Sequence, residues 1–107
     1  MFSLSNKVSV ITGGGSGIGK AIALLFAKQG SVVHILDVDE SAMTVVEEIN
    51  DSGGRSFFNK CNVAQQADVK YIIETIPVID ILVNNAGIPM SAPSKLRQKR
   101  TWFVCST

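Results

Sequence analysis

Five of the seven residues from position 13 to 19 are glycine, in the run "VITGGGSGIGKAIALLF" that spans residues 10 to 26. A stretch so short of side chains lets backbone amides come close to whatever lies against it. The β-branched residues before it read as a strand and the apolar periodicity after it as a helix. That arrangement points the amides and the positive end of a helix at an anion. The chemistry on offer is phosphate binding, and two templates compete for the same residues.

Read from Gly14 through Gly19 to Lys20, the run approaches the triphosphate loop, which needs a Ser or Thr after the lysine to ligate Mg²⁺. Position 21 is Ala, which has no ligand atom. Read from Thr12 through Gly13, Gly17 and Gly19, it is a dinucleotide-binding turn. There the glycines serve tight turning, approach of the pyrophosphate to the backbone, and close packing of helix on strand. Asp37 follows 18 residues beyond Gly19, at the end of a second apolar strand. A carboxylate there accepts hydrogen bonds from the adenosine ribose hydroxyls and repels a 2′-phosphate, so the expected cofactor is NAD rather than NADP.

The elements that must position these residues follow in order. "KVSVIT" (7 to 12) reads as a strand. Residues 19 to 29 read as a helix in which Ile22, Leu25 and Phe26 recur at helical spacing, stopped at Gly30. "SVVHILDV" (31 to 38) is a second strand. Val45, Val46 and Ile49 form the stripe of a helix from Ser41 to the "DSGG" turn at 51 to 54. "SFFNKCNV" (56 to 63) is a third strand. Residues 65 to 76 form a helix with Val69, Ile72, Ile73 and Ile76 inward, ended by Pro77. "VIDILVNNAG" (78 to 87) is a fourth strand with its exit turn. The alternation predicts an α/β chain, a partial Rossmann fold with a doubly wound parallel sheet of order 3-2-1-4. Residues 1–88 would form this half-domain and 89–107 an unstructured or aberrant basic tail.

The chain has 107 residues, 46% of them hydrophobic and 18% charged, enough for one modest domain. All nine acids lie before residue 81 with six of the bases, while the tail carries only Lys95, Arg97, Lys99 and Arg100. A formal charge of +1 suggests no nucleic-acid partner, and "KLRQKR" (95 to 100) has no supporting fold to make it one. Cys61 and Cys105 are too few and too far apart for a disulfide framework or a metal cluster, and no metal site is expected. No secretory signal core opens the chain, and no apolar run approaches the ~20 residues of a membrane span. A cytoplasmic setting is the expectation. His34, the single histidine, lies mid-strand and reads as a packed residue.

"TGGGSGIG" (12 to 19) together with "NNAG" (84 to 87) resembles the short-chain dehydrogenase/reductase family, over residues 5 to 88. The resemblance implies that Gly13, Ser16, Gly17, Ile18 and Gly19 line the pyrophosphate and that Asp37 holds the adenosine ribose. Asn62 and Val63 would flank the adenine, with Asn62 standing where the family usually has Asp. Asn84, Ala86 and Gly87 would support the sheet and border the middle of the cofactor, while Asn84 and Asn85 are expected to hold neighbouring backbone in place.

The family's hydride transfer relies on a Tyr-three-Lys pair, with Tyr as general acid/base. Here the single tyrosine, Tyr71, is followed four places later by Thr75 and lies in the third helix, so no catalytic residue is assigned. Charge, pattern and resemblance break together after Ile88, as in a chain cut short or shifted in reading frame. The expectation is an NAD-dependent oxidoreductase by ancestry that keeps the cofactor half without its own turnover. The alternative is a non-catalytic NAD-binding module acting through a partner subunit. The fourth strand, apolar on both faces, would be left as an open edge prone to self-association or pairing with a partner.

Overall fold

The computed structural model describes residues 3–85 and the strand at 102–105. Strand β1 (Val8–Thr12) leads into helix α1 (Gly17–Lys28), and β2 (Val32–Asp37) into a single 3₁₀ turn (Glu40–Ala42) and α2 (Met43–Asp51). β3 (Arg55–Lys60), α3 (Gln66–Thr75), β4 (Ile81–Asn84) and β5 (Trp102–Cys105) follow. All strands are parallel, in the order β3-β2-β1-β4-β5. The first four occupy the predicted 3-2-1-4 order. Among the described residues no helix is long and apolar enough to cross a membrane.

β1, β2 and β4 form where β-branched and other apolar residues run together, and their burial explains why they lack polar alternation. Ile11, Val33, Ile35, Ile81 and Val83 meet Ala23 of α1 and Val45 and Ile49 of α2 on one face. Val10, Leu36 and Leu82 meet Val69, Ile73 and Ile76 on the α3 side. The stripes read on α2 and α3 are therefore the buried ones. On α1 the apolar spacing does not mark the contact side: Leu25 is 51% exposed, and the inward positions are Gly19 and Ala23. Leu25 stands about 200° around the helix from Ala23 at 100° per residue. The small residues bring α1 close to the sheet, and the large ones flank that contact.

Pro77 ends α3 as expected, with Ile76 extended at ψ 118°. Gly30 closes α1 with φ +98°. β4 starts three residues later than predicted, because Asp80 turns the chain into it. Its Oδ2 accepts the Val8 N–H at 2.8 Å and its own N–H donates to the Val8 carbonyl at 2.8 Å.

Two expectations about the end of the chain are overturned. β4 is not an open edge, since Ile81 to Asn84 pair with Trp102 to Cys105 on one side and with Ser9 to Thr12 on the other. Self-association through a free β4 edge therefore has no edge to use. The tail expected to be unstructured contains a strand at 102–105. "WFVC" is too short to show a period of its own, and parallel pairing to β4 is a non-local interaction that local pattern does not record.

His34 is packed, as its mid-strand place suggests. Its ring stacks on Phe57 with centroids 5.1 Å apart, and burial pushes its pKa below the ordinary value of 6.5. The unfolded chain therefore takes up the proton first as pH falls. The stability this residue contributes is complete above about pH 6.5 and is lost as pH drops toward its lower folded value. Thermal unfolding followed from pH 7.5 to 5.5 should show a falling midpoint that His34→Gln flattens; equal slopes in the two proteins would refute this account.

Candidate functional site

A parallel sheet brings the carboxyl ends of its strands to one edge, so the loop after β1, Asp37, residues 61–63 and Asn84–Asn85 gather there. The loop is wedged between β2 and the end of β4. Gly13, at φ +68°, donates its N–H to the Leu36 carbonyl at 2.7 Å, and its own carbonyl accepts from Asn85 Nδ2 at 3.1 Å. A Cβ on Gly14 would press on Ile35 at 3.0 Å, and one on Gly15 would meet Ala42 at 2.8 Å. A side chain at Gly15 would force its neighbours to shift, and one at Gly14 would press tightly on Ile35.

Gly17 differs. Its φ is +58°, and a Cβ there would meet nothing within 4 Å. That open side is where α1 begins. Ser16 is extended and exposed, makes no side-chain capping bond to the helix, and no acidic residue occupies the first turn. The first amides of a helix have no intrahelical acceptor, and here neither a cap nor a carboxylate competes for them. Ile18 is 67% exposed beside them. Gly19 is the point of closest approach, where a Cβ would overlap the Gly13 carbonyl oxygen and lie 2.5 Å from Asn85 Nδ2.

Asp37 lies beside the loop, with both carboxylate oxygens held by backbone. Oδ2 accepts the Gly15 N–H at 3.1 Å and Oδ1 the Asp39 N–H at 3.0 Å. A carboxylate has about four acceptor positions, so this anchoring leaves capacity for hydroxyl donors. Asp39 accepts the Ser41 N–H at 2.9 Å, and those hydrogen bonds hold its carboxyl below the usual range. Glu40 pairs with Lys60 across exposed surface at 3.7 Å.

The other expected residues divide. Asn62 is exposed at the same end of the sheet, with its Oδ1 accepting the Ala64 N–H at 3.0 Å, and Val63 packs on the α3-side core. Asn84 is 1% exposed, and its Oδ1 accepts from Thr12 Oγ1 at 3.2 Å. It ties β4 to β1 inside the sheet, and the backbone-holding role expected of Asn85 falls on Gly13. Ala86 and Gly87 lie outside the described residues. Sequence reading missed Gly15 and Ala42, whose contact sets where the loop meets the 3₁₀ turn. Only the glycine count hinted at it. Tyr71 is 69% exposed on α3.

The loop geometry makes a sign prediction. Glycine to alanine inside a helix ordinarily gains about 1 kcal/mol. At Gly19 the overlap with Gly13 reverses the sign, and Gly19→Ala should lower the unfolding midpoint. Gly17→Ala, with open space around it, should cost only the left-handed conformation, about 1 kcal/mol. A thermal scan in which Gly19→Ala is as stable as the parent, or less damaging than Gly17→Ala, would contradict the close-approach geometry.

The family model described as short chain dehydrogenase matches residues 7–105. The match runs past Ile88, where the sequence pattern was expected to break. Cyclohexanol dehydrogenase of Acinetobacter sp. (strain SE19) is 46% identical over 89 residues, covering 78% of this chain and 36% of that protein. A short-chain dehydrogenase/reductase homologue of Bacillus subtilis, YusS, is 38% identical over 94 residues, 82% of this chain and 86% of its own length. Among solved structures, the 7α-hydroxysteroid dehydrogenase complexed with NADH and 7-oxo glycochenodeoxycholic acid has a TM-score of 0.71 at 37% identity, over 79% of this chain and 37% of that one. A short-chain dehydrogenase/reductase from Burkholderia phymatum in complex with NAD has a TM-score of 0.74 at 34% identity, over 81% of this chain and 33% of that one. This chain thus spans little more than a third of the length of the first of these relatives. With the family match spanning all five strands and the shared fold, the chain belongs to the short-chain dehydrogenase family.

Proposed function

We propose that residues 1–88 are the NAD-binding half of a short-chain oxidoreductase and that these 107 residues bind the cofactor without carrying the hydride chemistry. The observation that carries this reading is the Asp37 carboxylate, fixed by the Gly15 and Asp39 amides beside a glycine loop whose open side is the start of α1. In this reading Gly13, Ser16, Gly17, Ile18 and Gly19 receive the pyrophosphate, and Asp37 accepts from the adenosine ribose. Asn62 and Val63 border the adenine. Asn84 acts through the sheet, and Ala86 and Gly87 border the middle of the cofactor. Bound NAD would supply or accept the hydride that interconverts an alcohol and a carbonyl.

What these residues do is bind and orient. The amides at the start of α1 meet a dianion with partial positive charge and no reorganisation. Asp37, already held at both oxygens, selects against a 2′-phosphate. At about 5 Å and an effective dielectric near 20, each like-charge pair costs roughly 3 kcal/mol, reduced by salt at an exposed site. For the chemistry itself, Tyr71 is followed by Thr75 rather than by a lysine four places on, and it stands on the outer surface of α3. The acid/base pair would come from residues outside these 107 or from a partner subunit, which makes the second reading, a cofactor module completed by a partner, a variant of the first.

Titration of the 107-residue chain with NADH and NADPH, read by nicotinamide fluorescence and thermal unfolding together, tests this. Saturable binding is expected, at least tenfold tighter for NADH, with Asp37→Ser narrowing the preference toward parity. No binding by a folded chain would overturn the reading, and equal affinity for the two cofactors would overturn the role of Asp37. Turnover with alcohol substrates should be undetectable, and measurable turnover would refute the separation of binding from chemistry.

A further inference from the structure

Asp37, Glu40 and Lys60 stand together where β2 hands the chain on to α2. Val33 and Ile35 of β2 lie in the core under α1 and α2, and alternation along the strand puts Asp37 on that same face at its carboxyl end. On β3, the Ser56 hydroxyl donates to the Val46 carbonyl of α2 and Phe58 packs on the same core, so Lys60 follows them to that face. Asp37 and Lys60 are register partners of the parallel pair. Neighbouring strands lie about 4.8 Å apart, so an ammonium on a flexible four-carbon stem has the Asp37 carboxylate within its range.

Lys60 nevertheless pairs with Glu40, its Nζ 3.7 Å from Oε1. Backbone bonds fix where Glu40 stands. Asp37 Oδ1 accepts the Asp39 N–H at 3.0 Å, and Asp39 in turn accepts the Ser41 N–H at 2.9 Å, which sets the 3₁₀ turn that begins at Glu40. One carboxylate thereby places a second, and the second holds the cation. The side chains of Lys60 and Glu40 are 61% and 71% exposed, so the pair decides where a charge sits and adds little to stability.

A lysine resting on Asp37 would cancel the charge that turns away a 2′-phosphate. We propose that Glu40 is a specificity-determining residue that acts through Lys60: by holding the ammonium it leaves Asp37 uncompensated and keeps the adenosine end of the site selective for NAD. This inference rests on the cofactor reading given above. The task of Glu40 is positioning, exerted on Lys60 rather than on the cofactor.

Affinities for NADH and NADPH, read by nicotinamide fluorescence at low salt, test this in the 107-residue parent, Glu40→Gln, Lys60→Gln and the double variant. The preference for NADH is expected to fall about threefold in Glu40→Gln, and to stay unchanged when the same substitution is made beside Lys60→Gln. At about 1 M salt the difference should vanish, because the screening length is then ~3 Å. A second readout needs no cofactor. The Gly15 amide, which donates to Asp37 Oδ2 at 3.1 Å, should shift in the ¹⁵N spectrum of Glu40→Gln as Lys60 draws on that carboxylate, and keep its place when residue 60 is Gln. An NADH preference unchanged by Glu40→Gln, or an unmoved Gly15 amide, would overturn the proposal. So would an equal fall with and without Lys60, since Glu40 would then be a plain repelling charge. Absence of NADH binding by the folded parent would instead overturn the cofactor reading, and this role with it.

Discussion

The structure depends on how closely α1 approaches the turn that follows β1. At Gly19 there is no space for even one carbon against the Gly13 carbonyl. That closeness seats Ala23 in the core against β1 and β2 and pulls the start of the helix over the strand ends. It also fixes the direction of the helix's first amides. Asn85 completes the contact from the end of β4 by donating to the same Gly13 carbonyl, so the turn is held by two strands and a helix. A looser helix would keep the hydrophobic core and lose the aim of those amides.

The loop in turn organises charge. Gly15 has room for its contact with Ala42 only because it lacks a side chain, and its amide anchors Asp37. The carboxylate therefore belongs to the loop as much as to β2. In the proposed cofactor site this coupling would let a part-exposed acid discriminate between ligands, since its oxygens are positioned by the backbone and little ordering would be required on binding.

The α3 side follows a different logic. Pro77 shortens the helix by denying it an amide and forcing Ile76 out of helical geometry. On the same face the rings of His34 and Phe57 stack on each other. Among the described residues the two faces thus differ, one packed by α1 and α2 and the other by α3. On the far side of the sheet β5 pairs with β4, which makes β4 an inner strand with all four residues buried.

Much of this was legible in the sequence because it is local. Glycine spacing, the β-branched runs, the stripe of Val45 and Ile49, and the stop at Pro77 each act within a turn or two of chain, so residue type and spacing determine them directly. Asp37 could be located because a strand's end is set by its own pattern. The tertiary structure alone decided three things. Leu25 faces outward because small residues, not large ones, mark the contact side of α1. Asn84 turns into the sheet because Thr12 of a neighbouring strand offers it a hydroxyl. β5 exists because β4 offers an edge to four residues too few to show a period. Each depends on a partner distant in sequence, and pairing across such a distance leaves no trace in the spacing of either segment.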